Sequence, residues 1–164
     1  MAKDYSEDQL IQRSAAELME KELGWTSVYA FDKEVLGTNG TLGRTSYHEV
    51  LLAGRFRKAL KTLNPWLTDK QLQEATERMT EHMSSQTLMQ INEQKYQYIK
   101  DGVPVTRVKP NGETEEVRAK VIDFASPEKN DFLCVREMWV YGALYHRRAD
   151  IVGFVNGLPL LFME

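Results

Sequence analysis

The stretch that decides the fold runs from Arg147 to Glu164, RRADIVGFVNGLPLLFME. From Asp150 onward, two apolar runs flank the dipeptide Asn156-Gly157, which is the strongest short-range signal for a tight β-hairpin. Both runs are apolar at consecutive positions, a pattern typical of strands that are covered on both faces. The segment therefore predicts a hairpin at the centre of a β-sheet, formed by the last residues of the printed sequence.

Two carboxylates bracket this hairpin, because Asp150 begins its first strand and Glu164 ends its second. A charge at the mouth of a buried strand is costly unless something pairs it, and Mg²⁺ is a usual reason for two acids to converge. The alternative is that both are strand-end residues that face water.

The register of the hairpin decides whether the two carboxylates can meet. A two-residue loop with regular pairing places Asp150 opposite Met163, so that the carboxylates lie on opposite faces of the sheet. A three-residue loop or one β-bulge shifts the pairing by one residue and places Asp150 opposite Glu164 on a shared face. We predict such an irregularity in this hairpin.

The rest of the chain predicts helices first and strands later, which is typical of a single α/β or α+β domain. The predicted helices are residues 6–23 with Ser6 as cap, 46–63 with Ser46 and Glu49 as a capping box, a third from Thr68 with Gln71 as its cap partner, and a fourth from Thr87 to Asp101. The other predicted strands are residues 25–31, 103–108, 117–124 and 132–141, with Asn111-Gly112 as the turn of a further hairpin.

The composition is that of an ordinary globular protein, with 164 residues of which 42% are hydrophobic and 27% charged. This length fits one domain. The net charge of −3 argues against nucleic-acid binding by bulk charge alone, so any such site must be local. We expect no membrane segment, because the longest apolar stretch is too short to cross a bilayer. The single cysteine, Cys134, excludes an internal disulfide and suits the cytoplasm.

Other patterns of catalytic or metal-binding residues have little support. The glycine-rich run of residues 37–43 precedes Arg44-Thr45 instead of the Lys-Ser/Thr pair of a phosphate loop, so we interpret it as an ordinary loop. Cys134 lies in an apolar strand with no histidine nearby, which favours a buried structural thiol. The three histidines lie far apart, which favours structural roles over a zinc site. They are His48, His82 and His146.

A set of segments along the chain carries a recognisable pattern. They are Leu23–Trp25, Ser46–Leu52, Leu63–Pro65, Asp101–Val105, Asn130–Leu133, Arg147–Val152 and Phe154–Leu160, closed by Glu164. Together they closely resemble the amino-terminal domain of the restriction (R) subunit of type I restriction-modification enzymes. The resemblance follows the family's order and covers nearly the whole chain.

This resemblance implies an α/β nuclease fold of the PD-(D/E)xK class, restriction-endonuclease-like, with a mixed β-sheet flanked by helices. Asp150 matches the family's Asp and Glu164 its Glu, and both would hold Mg²⁺ for the hydrolysis of DNA phosphodiesters. The family's Lys falls at position 166, after the last printed residue, and a glutamine-tyrosine helix motif is expected farther on. We therefore expect residues 1–164 to be a single amino-terminal nuclease domain that is truncated at its C-terminal end and inactive by itself.

The resemblance also implies the partners of the full-length parent protein, which are double-stranded DNA and the modification and specificity subunits of a type I complex. ATP would belong to the motor of that parent, since these 164 residues contain no Walker loop or helicase motif. Arg147 and Arg148, beside the expected site, are candidates for contacts with DNA phosphates. The alternative for this pair is a solvated position at the start of a strand.

Two features depart from the family's pattern. Arg136-Glu137-Met138 stands where the family commonly has Asn-Gln-Phe. Some relatives carry an acidic residue on the first helix, for which Glu17 is the candidate here.

A second function remains open at this point, a non-catalytic module whose helices in residues 46–100 dock a partner subunit or DNA. The second predicted helix concentrates four positive charges, for which a solvated face is the plain interpretation. They are Arg55, Arg57, Lys58 and Lys61. Dependence on a divalent metal separates this function from the nuclease.

Overall fold

A computed structural model gives the structure of residues 7–81 and 85–164, with side chains described from residue 10 onward. Ser6 and His82 lie outside the described residues. The helices are α1 (Glu7–Leu23), α2 (Ala53–Leu63), α3 (Asp69–Thr80) and α4 (Leu88–Asp101), with a short 3₁₀ turn at Pro127–Lys129. The strands are β1 (Thr26–Tyr29), β2 (Val103–Val108), β3 (Thr114–Ala119), β4 (Phe132–Tyr141), β5 (His146–Val155) and β6 (Leu158–Met163).

The chain divides into two compact units, and the first contains the mixed sheet that the sequence predicts. Met1–Leu52 and Asp131–Glu164 form this unit, whose strand order is β1-β4-β5-β6. β1 is parallel to β4, and the other neighbouring strands are antiparallel. The α/β class with a mixed sheet is therefore confirmed. The prediction that residues 1–164 are one domain stays a prediction.

Two apolar layers cover the faces of this sheet. α1 ends at Leu23, and the residue after it, Gly24, has a φ of 71°. The buried Ala16 and Met19 of this helix pack with Cys134 and Ile151 on one face. On the other face, the buried side chains of β4 and β5 pack against residues that follow β1. The members of this second cluster are Ala30, Leu42, Leu52, Leu133, Val135, Met138, Ala149, Val152 and Phe154. Residues 133–138 of β4 and 149–154 of β5 are thus covered from both sides, which explains the apolar character of these two stretches.

A buried ion pair fixes the segment that follows β1. Arg44 Nε donates to Glu34 Oε1 at 2.6 Å and Arg44 Nη2 to Glu34 Oε2 at 2.7 Å, and neither side chain is more than 1% exposed. Arg44 also donates to the carbonyl oxygens of Glu49 and Trp139, at 3.2 and 2.7 Å. The guanidinium group is fully engaged within the protein, so the interpretation of the glycine-rich run as an ordinary loop is consistent with the structure.

The capping box predicted at Ser46 and Glu49 is wrong. The helix begins at Ala53 instead, and Ser46 Oγ accepts a hydrogen bond from the backbone of His48. The Glu49 side chain accepts from Thr45, while its carbonyl oxygen accepts from Arg44. These bonds hold residues 44–49 in an irregular path, so tertiary contacts override the local helix signal.

The second unit, Ala53–Asn130, contains α2, α3, α4 and the hairpin of β2 and β3. The predicted cap of α3 is confirmed, because Thr68 and Gln71 exchange hydrogen bonds in a full capping box. The hairpin at Asn111-Gly112 is confirmed too, but its second strand covers residues 114–119 rather than 117–124. The strand ends at Ala119 and the chain bends at residues 121–122. Beyond this bend, Asp123 Oδ1 accepts from the backbone of Ala125 and Ser126.

One part of the sheet differs from the prediction. The sequence placed both strands of the last hairpin at the centre of the sheet. Of these two strands, only β5 has a neighbouring strand on each side, whereas β6 lies at one edge of the sheet within residues 7–81 and 85–164. Consistent with this position, Pro159, Leu160, Leu161 and Phe162 are exposed. Within the same residues, no helix is both long and apolar enough to cross a bilayer.

Candidate metal centre at the β5–β6 hairpin

The turn of the last hairpin is the two-residue loop that its sequence predicts. Asn156 has a φ of 53° and Gly157 a φ of 80°, as a type I′ turn requires. Asn156 is fully buried. Its backbone N–H donates to Asp131 O at 2.8 Å, and its Oδ1 accepts from Asp131 N at 2.7 Å. These two bonds fix the turn against the start of β4.

A β-bulge follows this turn, so the prediction of one irregularity in the hairpin is confirmed. Phe154 pairs with Pro159, but Gly153 pairs with Leu161, and the register shifts between Gly153 and Phe154. Leu160 is therefore the extra residue of the bulge. Beyond it the pairing continues to Ile151 opposite Met163.

Glycine at position 153 permits this close pairing. A Cβ atom there would lie 2.9 Å from Leu161 Cβ, closer than Cβ atoms approach other atoms in proteins, and 3.0 Å from Trp25 Cζ3, which is tighter than most such contacts. The ring of Trp25 also contacts that of Phe132, with centroids 5.1 Å apart. The bulge is thus packed into the sheet.

The shifted register carries the two candidate carboxylates to adjacent positions. The last pair of the ladder is Ile151 with Met163, and the same register continued by one residue aligns Asp150 with Glu164. Directly opposed residues of antiparallel strands share a face and have Cβ atoms about 4.5–5.5 Å apart. Asp150 is half-buried and Glu164 is exposed. That the two carboxylates meet stays a prediction, which the shifted register supports.

This pair of donors suits a hard divalent cation. Mg²⁺ is bound in proteins through one or two carboxylates, with water and substrate phosphate completing its shell. Opposed carboxylates on two strands fit that description. Among residues 10–81 and 85–164, no three acidic, histidine or cysteine side chains cluster as a metal cage. That Asp150 and Glu164 bind metal stays a prediction.

A third carboxylate, which sequence reasoning did not select, flanks Asp150 on the other side. Glu137 on β4 falls between the pairs that Arg136 forms with Ile151 and Met138 forms with Ala149, and it is buried. Its φ of 57° is unusual for a residue other than glycine and costs about 1 kcal/mol or more. The one signal in the sequence for this position was that residues 136–138 depart from the family's pattern.

Glu137 has a defined partner, the guanidinium group of Arg148, with which it forms an ion pair. Arg148 also lies over the ring of Phe31, 4.8 Å from its centroid, and near that of Trp139, at 5.7 Å. Arg148 is therefore held beside Asp150 by three contacts, while the neighbouring Arg147 is exposed.

Comparison with known proteins places this hairpin in a family. A model of the family described as type I restriction enzyme R protein N terminus matches residues 4–164. The chain belongs to this family. The match covers nearly the whole chain, as the resemblance of its separate segments indicates.

Two curated relatives are named as subunits of type I restriction enzymes. The chain is 31% identical over 162 residues to a protein of Methanocaldococcus jannaschii assigned as the MjaIXP endonuclease subunit of a type I restriction enzyme, matching 97% of this chain and 15% of that protein. It is 28% identical over 145 residues to the type I restriction enzyme HindI endonuclease subunit of Haemophilus influenzae, matching 88% of this chain and 13% of that subunit. The chain thus spans about one seventh of the length of these relatives.

In this R-protein N terminus, Glu17 lies on α1 in a groove of about 410 Å³ that Arg136 and Glu137 also line. Hydrogen bonds from Arg13 and then Lys21, together with the positive charges of both, lower the pKa of the Glu17 carboxyl. Its role as the acidic residue of the first helix stays a prediction.

Other residues considered from the sequence belong to other helices and strands. Cys134 is fully buried, and burial raises the pKa of its thiol, which agrees with a structural role. The four basic residues of the second predicted helix lie on α2 in the other unit. Arg57, Lys58 and Lys61 are exposed and Arg55 is half-buried, and Lys61 donates to the carbonyl oxygen of Leu67.

Proposed function

We propose that this R-protein N terminus is the nuclease part of a type I restriction enzyme and that it hydrolyses DNA phosphodiesters with Mg²⁺. The observation that supports the proposal is the β-bulge of the last hairpin, because the register beyond it, continued by one residue past Ile151 and Met163, aligns Asp150 with Glu164. Family membership supplies the class of reaction, since the relatives are endonuclease subunits by name. The proposal assigns the PD-(D/E)xK arrangement to this hairpin.

In the proposed mechanism, Asp150 and Glu164 hold the metal ion from two adjacent strands. A bound Mg²⁺ lowers the pKa of a water molecule and stabilises charge on the phosphorus oxygens. Asp150 lies on β5, which pairs with a strand on each side, so its carboxylate is held on a rigid element. The β-bulge sets the register that aligns it with Glu164 and keeps the two carboxylates pre-organised.

The remaining parts of the proposal concern the full-length protein. We propose that it contains the motif Lys at position 166, that an ATP-driven motor belongs to it, and that it works in the cytoplasm. Its proposed partners are double-stranded DNA and the modification and specificity subunits of a type I complex. No ATP site is proposed within this chain, which carries no phosphate-loop motif.

Metal removal tests the nuclease proposal in the full-length protein with its partner subunits. Unmodified plasmid DNA is incubated with ATP and the complex, after chelation with EDTA and again after excess Mg²⁺ is restored, and cleaved product is measured on a gel. We expect no detectable cleavage in EDTA and full recovery with Mg²⁺. Because the motor itself requires Mg²⁺ with ATP, the Asp150→Asn variant in the same assay assigns the loss to this chain. Equal cleavage by the variant and the wild type would contradict the proposal.

A docking module is the second candidate function, and one feature of the other unit favours it. Trp66 and Val108, which are 45% and 67% exposed, line a groove of about 870 Å³ together with Lys70. Exposed aromatic side chains are enriched at protein interfaces. A purely docking role predicts that substitution of Asp150 leaves DNA cleavage unchanged, whereas substitution of Trp66 weakens complex assembly.

A further inference from the structure

The hairpin of β4 and β5 extends beyond the short strand that pairs with it on one side. The pairing of β1 with β4 ends at Tyr29 opposite Arg136, whereas β4 and β5 remain paired as far as Tyr141 opposite His146. Gly142 N then donates to Tyr145 O at 2.8 Å and closes the turn. We call residues 138–149 the distal ribbon. It begins directly beside Asp150.

The end of the distal ribbon exposes large apolar side chains. Leu144 is 85% exposed and Tyr145 is 73% exposed, and Leu144 is the most exposed large apolar residue in the described part of the chain. Exposed side chains of this size at a hairpin tip point to an interaction surface.

The charge of the distal ribbon indicates the kind of partner. Residues 138–149 contain two arginines and one histidine but no Asp or Glu, although the whole chain has a net charge of −3. Glu137 neutralises Arg148, so the exposed Arg147 carries the positive charge of the surface. An exposed arginine on a ribbon without acidic side chains suits the phosphate backbone of a polyanion.

The distal ribbon is held in place by contacts of its first strand. Tyr141 N donates to Tyr47 O at 3.0 Å, and the buried Arg44 donates to Trp139 O. The ring of Tyr141 stacks on His146 with centroids 3.7 Å apart. A pre-organised ribbon loses little conformational entropy when it binds.

We propose that the distal ribbon binds double-stranded DNA by lying in a groove of the duplex that Asp150 and Glu164 cleave. Strands in a ribbon are about 4.8 Å apart, and the major groove of B-DNA, about 12 Å wide, admits a two-stranded β-ribbon. Arg147 lies three residues before Asp150, or about 10 Å along the strand, and its exposed guanidinium group suits contact with a backbone phosphate of the same duplex. Leu144 reaches about 20 Å, which suits contact with base edges.

This inference rests on the proposed nuclease function, and DNA binding by the full-length protein tests it separately from cleavage. The probe is a fluorescent 30-base-pair duplex, and its anisotropy is measured without ATP between 50 and 200 mM salt. We expect Arg147→Ala to weaken binding about tenfold at 50 mM salt and to lower the slope of log K against log salt by about 0.9, the value for one phosphate contact. Leu144→Ala is expected to weaken binding at every salt concentration without a change in slope.

Three controls make the outcomes distinct. Lys100→Ala removes an exposed positive charge from α4 and is expected to leave both affinity and slope unchanged. Asp150→Asn is expected to keep the wild-type slope while cleavage is lost, so the two proposals fail independently. The melting temperature should not change in Arg147→Ala, because that side chain is exposed.

Two results would overturn the inference. One is an unchanged affinity and slope in both Arg147→Ala and Leu144→Ala. The other is normal DNA binding combined with a lower melting temperature in Leu144→Ala, which would mean that the tip packs against another part of the full-length protein.

Discussion

Replacement of Asp150 by Asn in the full-length protein is expected to lower the rate of DNA cleavage about 100-fold or more. The substitution keeps the shape of the side chain but removes the negative charge that would hold the metal ion. Removal of a single group that stabilises transition-state charge typically costs 10²–10³ in rate, about 3–4 kcal/mol, and a metal ion contributes several kcal/mol of the same kind. The rate is measured as linear product formed from plasmid DNA under saturating Mg²⁺ and ATP.

The matched control for this variant is Glu116→Gln. Glu116 is an exposed carboxylate on β3, so this variant makes the same chemical change on a strand that is not part of the β5–β6 hairpin. We expect it to cleave at the wild-type rate. ATP hydrolysis by the full-length protein should stay normal in both variants. Cleavage by Asp150→Asn within about twofold of the wild type would contradict the assignment of Asp150.

Replacement of Glu34 by Ala is expected to destabilise the chain by about 3–5 kcal/mol, the usual cost of removing one partner from a buried ion pair. Arg44 has no exposed side-chain surface, and Glu34 is its bidentate partner. Without Glu34, the guanidinium group keeps the carbonyl oxygens of Glu49 and Trp139 and the ring of Tyr47, none of which neutralises its charge. The free energy of unfolding is measured by urea denaturation, followed by tryptophan fluorescence and circular dichroism.

Two further variants separate the buried pair from ordinary ion pairs. Glu115→Ala removes a partner of Arg107 at the surface, where the Arg107 side chain is 54% exposed, and should cost less than about 1 kcal/mol. The double variant Glu34→Leu with Arg44→Met replaces both charges with apolar groups and should recover most of the lost stability. A cost below about 1 kcal/mol for Glu34→Ala would contradict this account of the core.

Features set by nearby residues were predicted from the sequence. Asn156-Gly157 required a two-residue turn because both positions need a positive φ. The cap at Thr68 depends on a partner only three residues away. The β-bulge was predicted from the spacing of Asp150 and Glu164, on the assumption that the two carboxylates meet.

Features set by distant residues were not predicted. Ser46 and Glu49 have the spacing of a capping box, but β4 holds this segment in another conformation, because Arg44 donates to Trp139 O and Tyr141 N donates to Tyr47 O. The burial of Arg44 depends on Glu34 and on Trp139, which lies 95 residues away. Glu137 was not selected from the sequence either, because its position beside Asp150 follows from the pairing of β4 with β5. Each of these contacts joins residues that lie far apart in the sequence, so no local sequence pattern predicts it.

Calorimetric titration of the full-length protein with Mg²⁺ in the absence of nucleotide tests the central claim most directly, namely that Asp150 and Glu164 share a metal ion. The wild type and the Glu116→Gln variant are predicted to show the same binding isotherm. Asp150→Asn is predicted to lose that binding while its circular dichroism spectrum stays unchanged. An isotherm for Asp150→Asn that matches the wild type would contradict the claim.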